Sequence, residues 1–494
     1  MPWLYYLLTD DLTIILGLVA ACLFLLHNLY KPQSLVHPIL LGRQSDVARV
    51  RHPGESAVYR NYSTGMLGRF PVRPGKDEQV LLDLVKPASD APRTLWSTKI
   101  TNPELRDRAA AFGAGLIMTA KVVPQESNVL LLLNDGIEFL ITDLALASYS
   151  IPSFVVSSLA LLSPVLENHP PSVIVTDTTL LPHFTYPTVV VVGDVDSKHL
   201  RSAQHVQLLK WEDVYTRGRK KQAPVLDPQL EGTQLTHENL TAGVAATRNL
   251  LPLSSAISSL DTIVSASSLS TPYGRAVAYT AIYEGTSFAT LDSTKLITGP
   301  RTHHTPDAPY SPASLLADLR SVTKYPIPSP TVLFVTPAHL NALSRPCPGK
   351  AAGTIVLRSV LEVHKGPIES QLLVPMRIAL SVPIVNAHIH PLVAGPVFAK
   401  QRQISAVDSF ALTYLAAVGP PSVNVEAKLR GVNDADIESG GDPVGALHIH
   451  GPSVGKPVHR QDAEIEEGDG WVSIGQRASV LPNGTFKVVA TALQ

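Results

Sequence analysis

The sequence predicts a mixed α/β fold with mostly parallel sheets, laid out as two α/β subdomains followed by a small β-rich one. Three observations carry this. Residues 128–133 (NVLLLL), 172–175 and 189–192 are short continuous apolar runs without a polar face, as strands covered on both sides require. Stretches with helical spacing of apolar residues lie between them. After Glu426 the helical texture gives way to short strands divided by Gly, Pro and Asn. The composition suits such a fold. With 494 residues, 45% hydrophobic and 16% charged, the chain can bury a large core, and disorder as the dominant state is excluded. Its two cysteines, Cys22 and Cys347, exclude a disulfide scaffold. Forty Lys and Arg against 41 Asp and Glu give no electrostatic reason for a nucleic-acid partner.

The first element is an N-terminal apolar segment, residues 12–26 (LTIILGLVAACLFLL), uncharged until Lys31. As a helix, the uncharged stretch would be about 28 Å long, which matches a hydrocarbon core of ~30 Å. Asp10 and Asp11 precede it, where a cleaved signal peptide would carry positive charge. Lys31, Arg43, Arg49 and Arg51 follow, so the positive-inside rule places the body in the cytosol. A transmembrane helix at residues 1–30 is therefore expected, with membrane lipid as a partner and the endoplasmic reticulum or a lipid droplet as host. A second apolar patch, residues 3–8, keeps monotopic insertion open. A buried core helix is the competing reading, and the absence of a polar stripe counts against it.

Residues 31–93 are rich in Pro, Arg and Gly and suit a linker or cover. The first α/β subdomain is expected at 94–255. It opens with Asn102 and Pro103 as cap and first turn of a helix carrying Leu105, Ala109, Phe112 and Leu116. Residues 137–148 and 160–168 also read as helices. A basic cluster, Arg217, Arg219, Lys220 and Lys221, is placed in a solvated loop, with a phosphate or lipid-headgroup site as the alternative. The second α/β subdomain is expected at 256–425, with helices at 274–283 and 311–322 and strands at 287–291, 332–335 and 383–386. The β-rich subdomain takes 426–494.

Four segments carry a resemblance: LTHENLTAG from Leu235, VNAHIHPLVAGPVF (385–398), GALHIHGPSV (445–454) and DGWVSIGQRASVLPNG (469–484). In this order and spacing they resemble the AMP-forming acyl-CoA synthetases of the adenylate-forming superfamily, particularly the long-chain fatty acid branch, over residues 90–490. The resemblance implies a fold of two α/β subdomains and a small β subdomain, followed in the family by a mobile C-terminal domain. It implies an ATP- and Mg²⁺-dependent activation of a carboxylate and transfer of the acyl group to coenzyme A.

The departures from the family pattern point elsewhere. The phosphate-cradling loop before the L-T-H-x-N helix, whose last residue of interest is His237, is reduced to APVLDPQLEGTQ, with Gly232 left and Glu231 repelling phosphate. The Tyr-Gly-x-Thr-Glu motif falls on His388, Ile389, His390, Pro391 and Leu392, and leucine cannot ligand Mg²⁺. The Asp of Thr-Gly-Asp becomes Gln476, which forfeits the charge-assisted grip on ribose hydroxyls. The chain stops at Gln494, before the family's C-terminal domain. Loss of one preorganised contact of this kind costs roughly 3 to 4 kcal/mol of transition-state stabilisation. A catalytically impaired protein is expected, with no cofactor; it would bind a fatty acyl chain or a protein partner at a membrane. The alternative is an active long-chain fatty acid CoA ligase using ATP, Mg²⁺ and coenzyme A.

An acyl pocket is expected along Tyr273, Gly274, Ala387, Ala394 and Gly395, whose small and apolar members leave room for a chain. His388 with His390 and His448 with His450 form two H-x-H pairs that could face one way on a strand. Without a familiar third ligand they read as hydrogen-bonded cleft histidines, so no metal is expected. The sequons at Asn61, Asn239 and Asn483 would stay bare on a cytosolic body.

Overall fold

The computed structural model describes residues 11–30, 52–61, 73–156, 159, 162–183, 186–194, 207–220, 235–251, 256–296, 312–344, 359–364, 384–399, 418–456, 470–481 and 484–491. Three sheets organise them. A five-stranded, all-parallel sheet contains β3 (Val129–Leu132), β4 (Ser153–Val155), β5 (Val173–Asp177), β6 (Thr188–Val192) and β7 (Gln207–Lys210), in the order β4-β3-β5-β6-β7. A larger sheet is built on β1 (Arg93–Leu95), β2 (Thr98–Ile100), β8 (Thr262–Ser265), β9 (Ser287–Thr290), β10 (Val332–Val335), β11 (Ser359–His364), β12 (Ile384–Ile389) and β13 (Pro396–Ala399). Its order is β13-β12-β11-β10-β8-β9-β1-β2, parallel within and antiparallel at both edges. The small sheet is an antiparallel meander of β14 (Glu426–Arg430), β15 (Val444–His450), β16 (Val472–Val480) and β17 (Phe486–Thr491). This is the expected mixed α/β architecture with parallel sheets. The apolar runs at β3, β5 and β6 are buried along nearly their whole length, which is why they lack a polar face.

The helices are α1 (Asp11–Tyr30), α2 (Asn102–Gly115), α3 (Ile137–Ser148), α4 (Leu162–Asn168), α5 (Trp211–Arg219), α6 (His237–Arg248), α7 (Pro272–Glu284), α8 (Pro312–Ser321), α9 (Pro337–Ser344) and α10 (Asp434–Glu438). Their starts follow from capping. Thr101, one residue before the expected cap, accepts from the Glu104 N–H at 3.3 Å while Glu104 returns a bond to the Thr101 N–H at 3.0 Å. Asn102 instead turns inward and donates to the Lys86 carbonyl at 2.9 Å. Thr236 and Asn239 form the same reciprocal box on α6, and Thr271 caps α7 ahead of Pro272. The basic cluster departs from its expected loop: Arg217 and Arg219 occupy the last turn of α5, and Lys220 caps it. Cations there suit the negative end of the helix dipole. Lys221 lies outside the described residues.

Helix α1 covers the N-terminal apolar run, and its side chains from Ile14 to Leu26 are exposed, Phe24 by 66% and Leu18 by 61%. Among the described residues, however, no helix is long and apolar enough to cross a membrane. The expectation of a spanning helix is therefore met only as far as an exposed apolar helix. Residues 52–61 run antiparallel to β14, through bridges Glu55 to Arg430 and Tyr59 to Ala427, and so cover part of the small sheet.

Candidate functional site

The C-terminal ends of parallel strands in the two larger sheets meet at one polar cluster. Ligands of open α/β sheets bind at such edges. After β3 the chain turns through Asn134, Asp135 and Gly136 into α3; after β8 it passes through Ser267, Ser268, Leu269 and Ser270 into α7. Asp135 Oδ1 accepts from the Ser268 hydroxyl and from the Leu269 N–H, both at 3.0 Å. The Ser268 and Ser270 hydroxyl oxygens are 2.9 Å apart, and Ser270 is half-buried. Burial pushes the Asp135 carboxyl up to about 6, and bonds from Thr294, Ser268, Leu269 and Thr290 only partly offset it. A carboxyl poised between charged and neutral near pH 6, with two hydroxyls in series, can exchange a proton with a ligand or hold its polar group. The sequence motifs did not single out Asp135; a carboxylate directly after a buried parallel strand was its available signal.

Nearby, α3 and α7 are joined by a fully matched network. The Tyr279 hydroxyl donates to Asp143 Oδ2 at 2.6 Å, and Arg275 Nη1 lies 3.2 Å from Asp143 Oδ1. Asp143 and Tyr279 are buried. Tyr273 is buried against Phe334, with a ring separation of 6.4 Å, and its hydroxyl has no hydrogen-bond partner among the described residues. Gly274 sits where a Cβ would come within 1.9 Å of the Ser268 carbonyl oxygen.

The motif positions converge at a second place. His388, on β12, is buried, and its Nε2 lies 2.9 Å from Gln476 Oε1 on β16. That geometry makes the ring N–H the donor and the amide oxygen the acceptor. The two positions where the resembled family would present Tyr and a ribose-binding Asp thus bond to each other. His390 accepts from the Leu392 N–H at 3.3 Å. The Leu392 carbonyl accepts from Gly455 at 2.7 Å, and the Ser453 carbonyl from Ala394 at 3.0 Å, zipping the loop to the turn after β15. Pro391 is exposed at its tip. Asn239 of α6 completes the junction by donating to the Pro452 and Val454 carbonyls at 2.7 and 3.1 Å. Neither Leu392 nor Gln476 offers a carboxylate to a Mg²⁺ ion.

The expected acyl-pocket residues of this loop are close-packed. A Cβ at Gly243 of α6 would stand 2.3 Å from the Ala394 carbonyl oxygen, and one at Gly395 would stand 3.2 Å from the Gly243 Cα. Their small size here serves helix-to-strand contact. Ala387 is fully buried within β12. His237 accepts from the Leu81 N–H at 3.1 Å, and burial lowers its basicity despite Asp143, Asp83 and the Ala147 carbonyl. Gly232 lies outside the described residues.

The four histidines of the two H-x-H pairs do not converge. His448 lies 3.3 Å from the Ala446 carbonyl through Nδ1, and His450 pairs with Glu426 at 3.1 Å. Among the described residues no group of three or more His, Cys, Asp or Glu could hold a metal ion. Two sequons have structural duties: Asn61 is buried and donates to the Pro421 carbonyl at 2.8 Å, and Asn239 is the junction residue above. Asn483 lies outside the described residues.

No family model matches the chain, and no curated protein sequence does. Solved structures do. A benzoate CoA ligase from Burkholderia xenovorans LB400 superposes with a TM-score of 0.60 at 16% identity, over 83% of this chain and 79% of the ligase. The o-succinylbenzoate coenzyme A synthetase of Bacillus subtilis, in complex with AMP, gives 0.56 at 14% identity over 84% and 78%. The anthranilate CoA ligase AuaEII, in complex with anthranoyl-AMP, gives 0.58 at 13% identity over 84% and 78%. At such identities the likeness is one of fold: the chain folds as the adenylate-forming CoA ligases do.

Proposed function

We propose that the chain is a membrane-attached, acyl-CoA-synthetase-like binding protein with impaired adenylation, and that its ligand is a fatty acyl chain or a protein partner. The observation that carries this is the His388 to Gln476 bond, which uses two nucleotide-site positions to satisfy each other. Leu392 adds no charge beside them. The structural neighbours support a ligase-like origin; two of them hold AMP and anthranoyl-AMP, so an aryl ligand belongs in the same test. The exposed apolar face of α1 supports attachment to a membrane. A cytosolic body follows the charge asymmetry of the sequence, and the endoplasmic reticulum or a lipid droplet is the host membrane we propose.

The competing reading is an active long-chain fatty acid CoA ligase, and the shared ligase fold favours it. Isothermal titration of the full chain with Mg-ATP, beside a thioester assay with oleate, benzoate and coenzyme A, separates the two. The binding-protein reading expects no saturable nucleotide heat and no thioester. Tight Mg-ATP binding with turnover of order 1 s⁻¹ would establish the ligase. Release of the chain into the soluble fraction on deletion of residues 12–26 is the expected result for the anchor.

A further inference from the structure

The surface built by the end of α2 and one side of α5 combines features that the cleft does not use. Helix α2 runs into a single π-helical turn, Leu116–Ala120, which ends at Lys121 in the left-handed conformation with φ of 55°. Such turns are frequent at functional sites. This one throws out apolar side chains: Met118 is 39% exposed, and Val123, just beyond it, 46%. Beside it lies a cavity of about 220 Å³ lined by Thr119, Leu208, Leu209, Val214, Lys210, Asp213 and Arg217.

The neighbouring helix is held there tightly, because Gly218 and Gly115 let the backbones of α5 and α2 touch. A Cβ at Gly218 would be 1.8 Å from the Ala111 carbonyl oxygen. Trp211, Val214 and Gly218 form the buried stripe of α5. At 3.6 residues per turn, Lys210, Arg217 and the capping Lys220 fall on one flank of that stripe, and Arg219 falls on the other. Lys121 stands at the tip of the π-turn. None of Lys121, Lys210, Arg217 and Lys220 forms an ion pair among the described residues; Asp213 on the same flank and exposed Glu126 are the acidic groups of this face.

We propose that this face docks onto an anionic lipid bilayer, with Met118 and Val123 entering the interface and the four cations facing lipid phosphates and carboxylates. The pattern of exposed apolar residues ringed by long cationic side chains is complementary to such a surface. The proposal rests on the membrane attachment inferred above, since α1 would hold the body close enough for this face to engage. It assigns the body a fixed orientation on the membrane.

The test uses the full chain carrying Met118→Cys in a Cys22→Ser, Cys347→Ser background, labelled with an environment-sensitive fluorophore. It is mixed with neutral phosphatidylcholine vesicles or with vesicles containing one quarter phosphatidylserine, each with or without a quencher on the acyl chains. The label should shift to the blue and be quenched on the anionic vesicles, and 0.5 M NaCl should reverse both changes. With Lys121→Gln, Arg217→Gln and Lys220→Gln together, the lipid concentration giving half the shift should rise about a hundredfold, at roughly fivefold per cation. An unshifted label on anionic vesicles to which the chain is bound would overturn the proposal, as would an equal shift on neutral ones. Co-sedimentation with the neutral vesicles reads the anchor alone, so its failure is distinguishable from failure of the docking face.

Discussion

The Asp135 cluster and the Asp143 network both place a carboxylate between α3 and α7 or the segment leading into it, and they differ in how the charge is met. Asp143 has a guanidinium at 3.2 Å and a phenol at 2.6 Å, so both its oxygens have partners. Asp135 has hydroxyls and one N–H but no cation, and burial lifts its pKa to about 6. One carboxylate holds two layers together. The other is retained where ionisation is penalised, and buried groups kept at such a cost concentrate at functional sites.

The largest effect should come from breaking the matched network. Asp143→Ala strands the half-buried Arg275 and leaves the buried Tyr279 without its acceptor, so chemical denaturation should show a loss of about 3 to 5 kcal/mol. Next comes the close-packed seam at the motif loop. Gly243→Ala drives a methyl into the Ala394 carbonyl, and a loss of about 1 to 3 kcal/mol is expected, read as a lower melting temperature.

Asp135→Asn should act in the opposite direction. Because the folded-state pKa lies above the carboxylate's ordinary value of 3.8, the wild-type chain is favoured at acid pH. That advantage is fully present below pH 3.8 and is lost as pH rises through about 6. The Asn variant should therefore be more stable than wild type at pH 7 by about 1 to 3 kcal/mol, with the gain vanishing near pH 4. Equal pH profiles for the two proteins would remove the contrast between Asp135 and Asp143. The smallest expected change is for Gln476→Ala, which removes the bond to His388 and should cost about 1 kcal/mol.

Local pattern made much of this fold legible. The fully apolar runs of β3, β5, β6 and β10 identify themselves, since nothing but a doubly covered strand suits them. The starts of α2 and α7 are written in Thr101 to Glu104 and in Thr271 with Pro272. Other elements depend on partners distant in sequence. The hairpin of β1 and β2 is only three residues a strand, and it exists because Leu95 lies beside Phe288 of β9. Strand β14 alternates Glu426, Lys428 and Arg430 with apolar residues, and those charges are satisfied by Glu55, Arg60 and His450 from elsewhere in the chain. At the site, the motif resemblance located His388 and Gln476 separately, and only the packing of β12 against β16 brings them into contact. Small residues such as Gly395 read equally well as pocket or seam until their neighbour, Gly243, is in place.

The proposed reading is a ligase fold with impaired adenylation. It is tested most directly by exchange of labelled pyrophosphate into ATP, catalysed by the full chain with Mg²⁺ and a panel of fatty and aromatic carboxylic acids. The account predicts no exchange above the enzyme-free background with any acid. Carboxylate-dependent exchange at a turnover of order 1 s⁻¹ would contradict it.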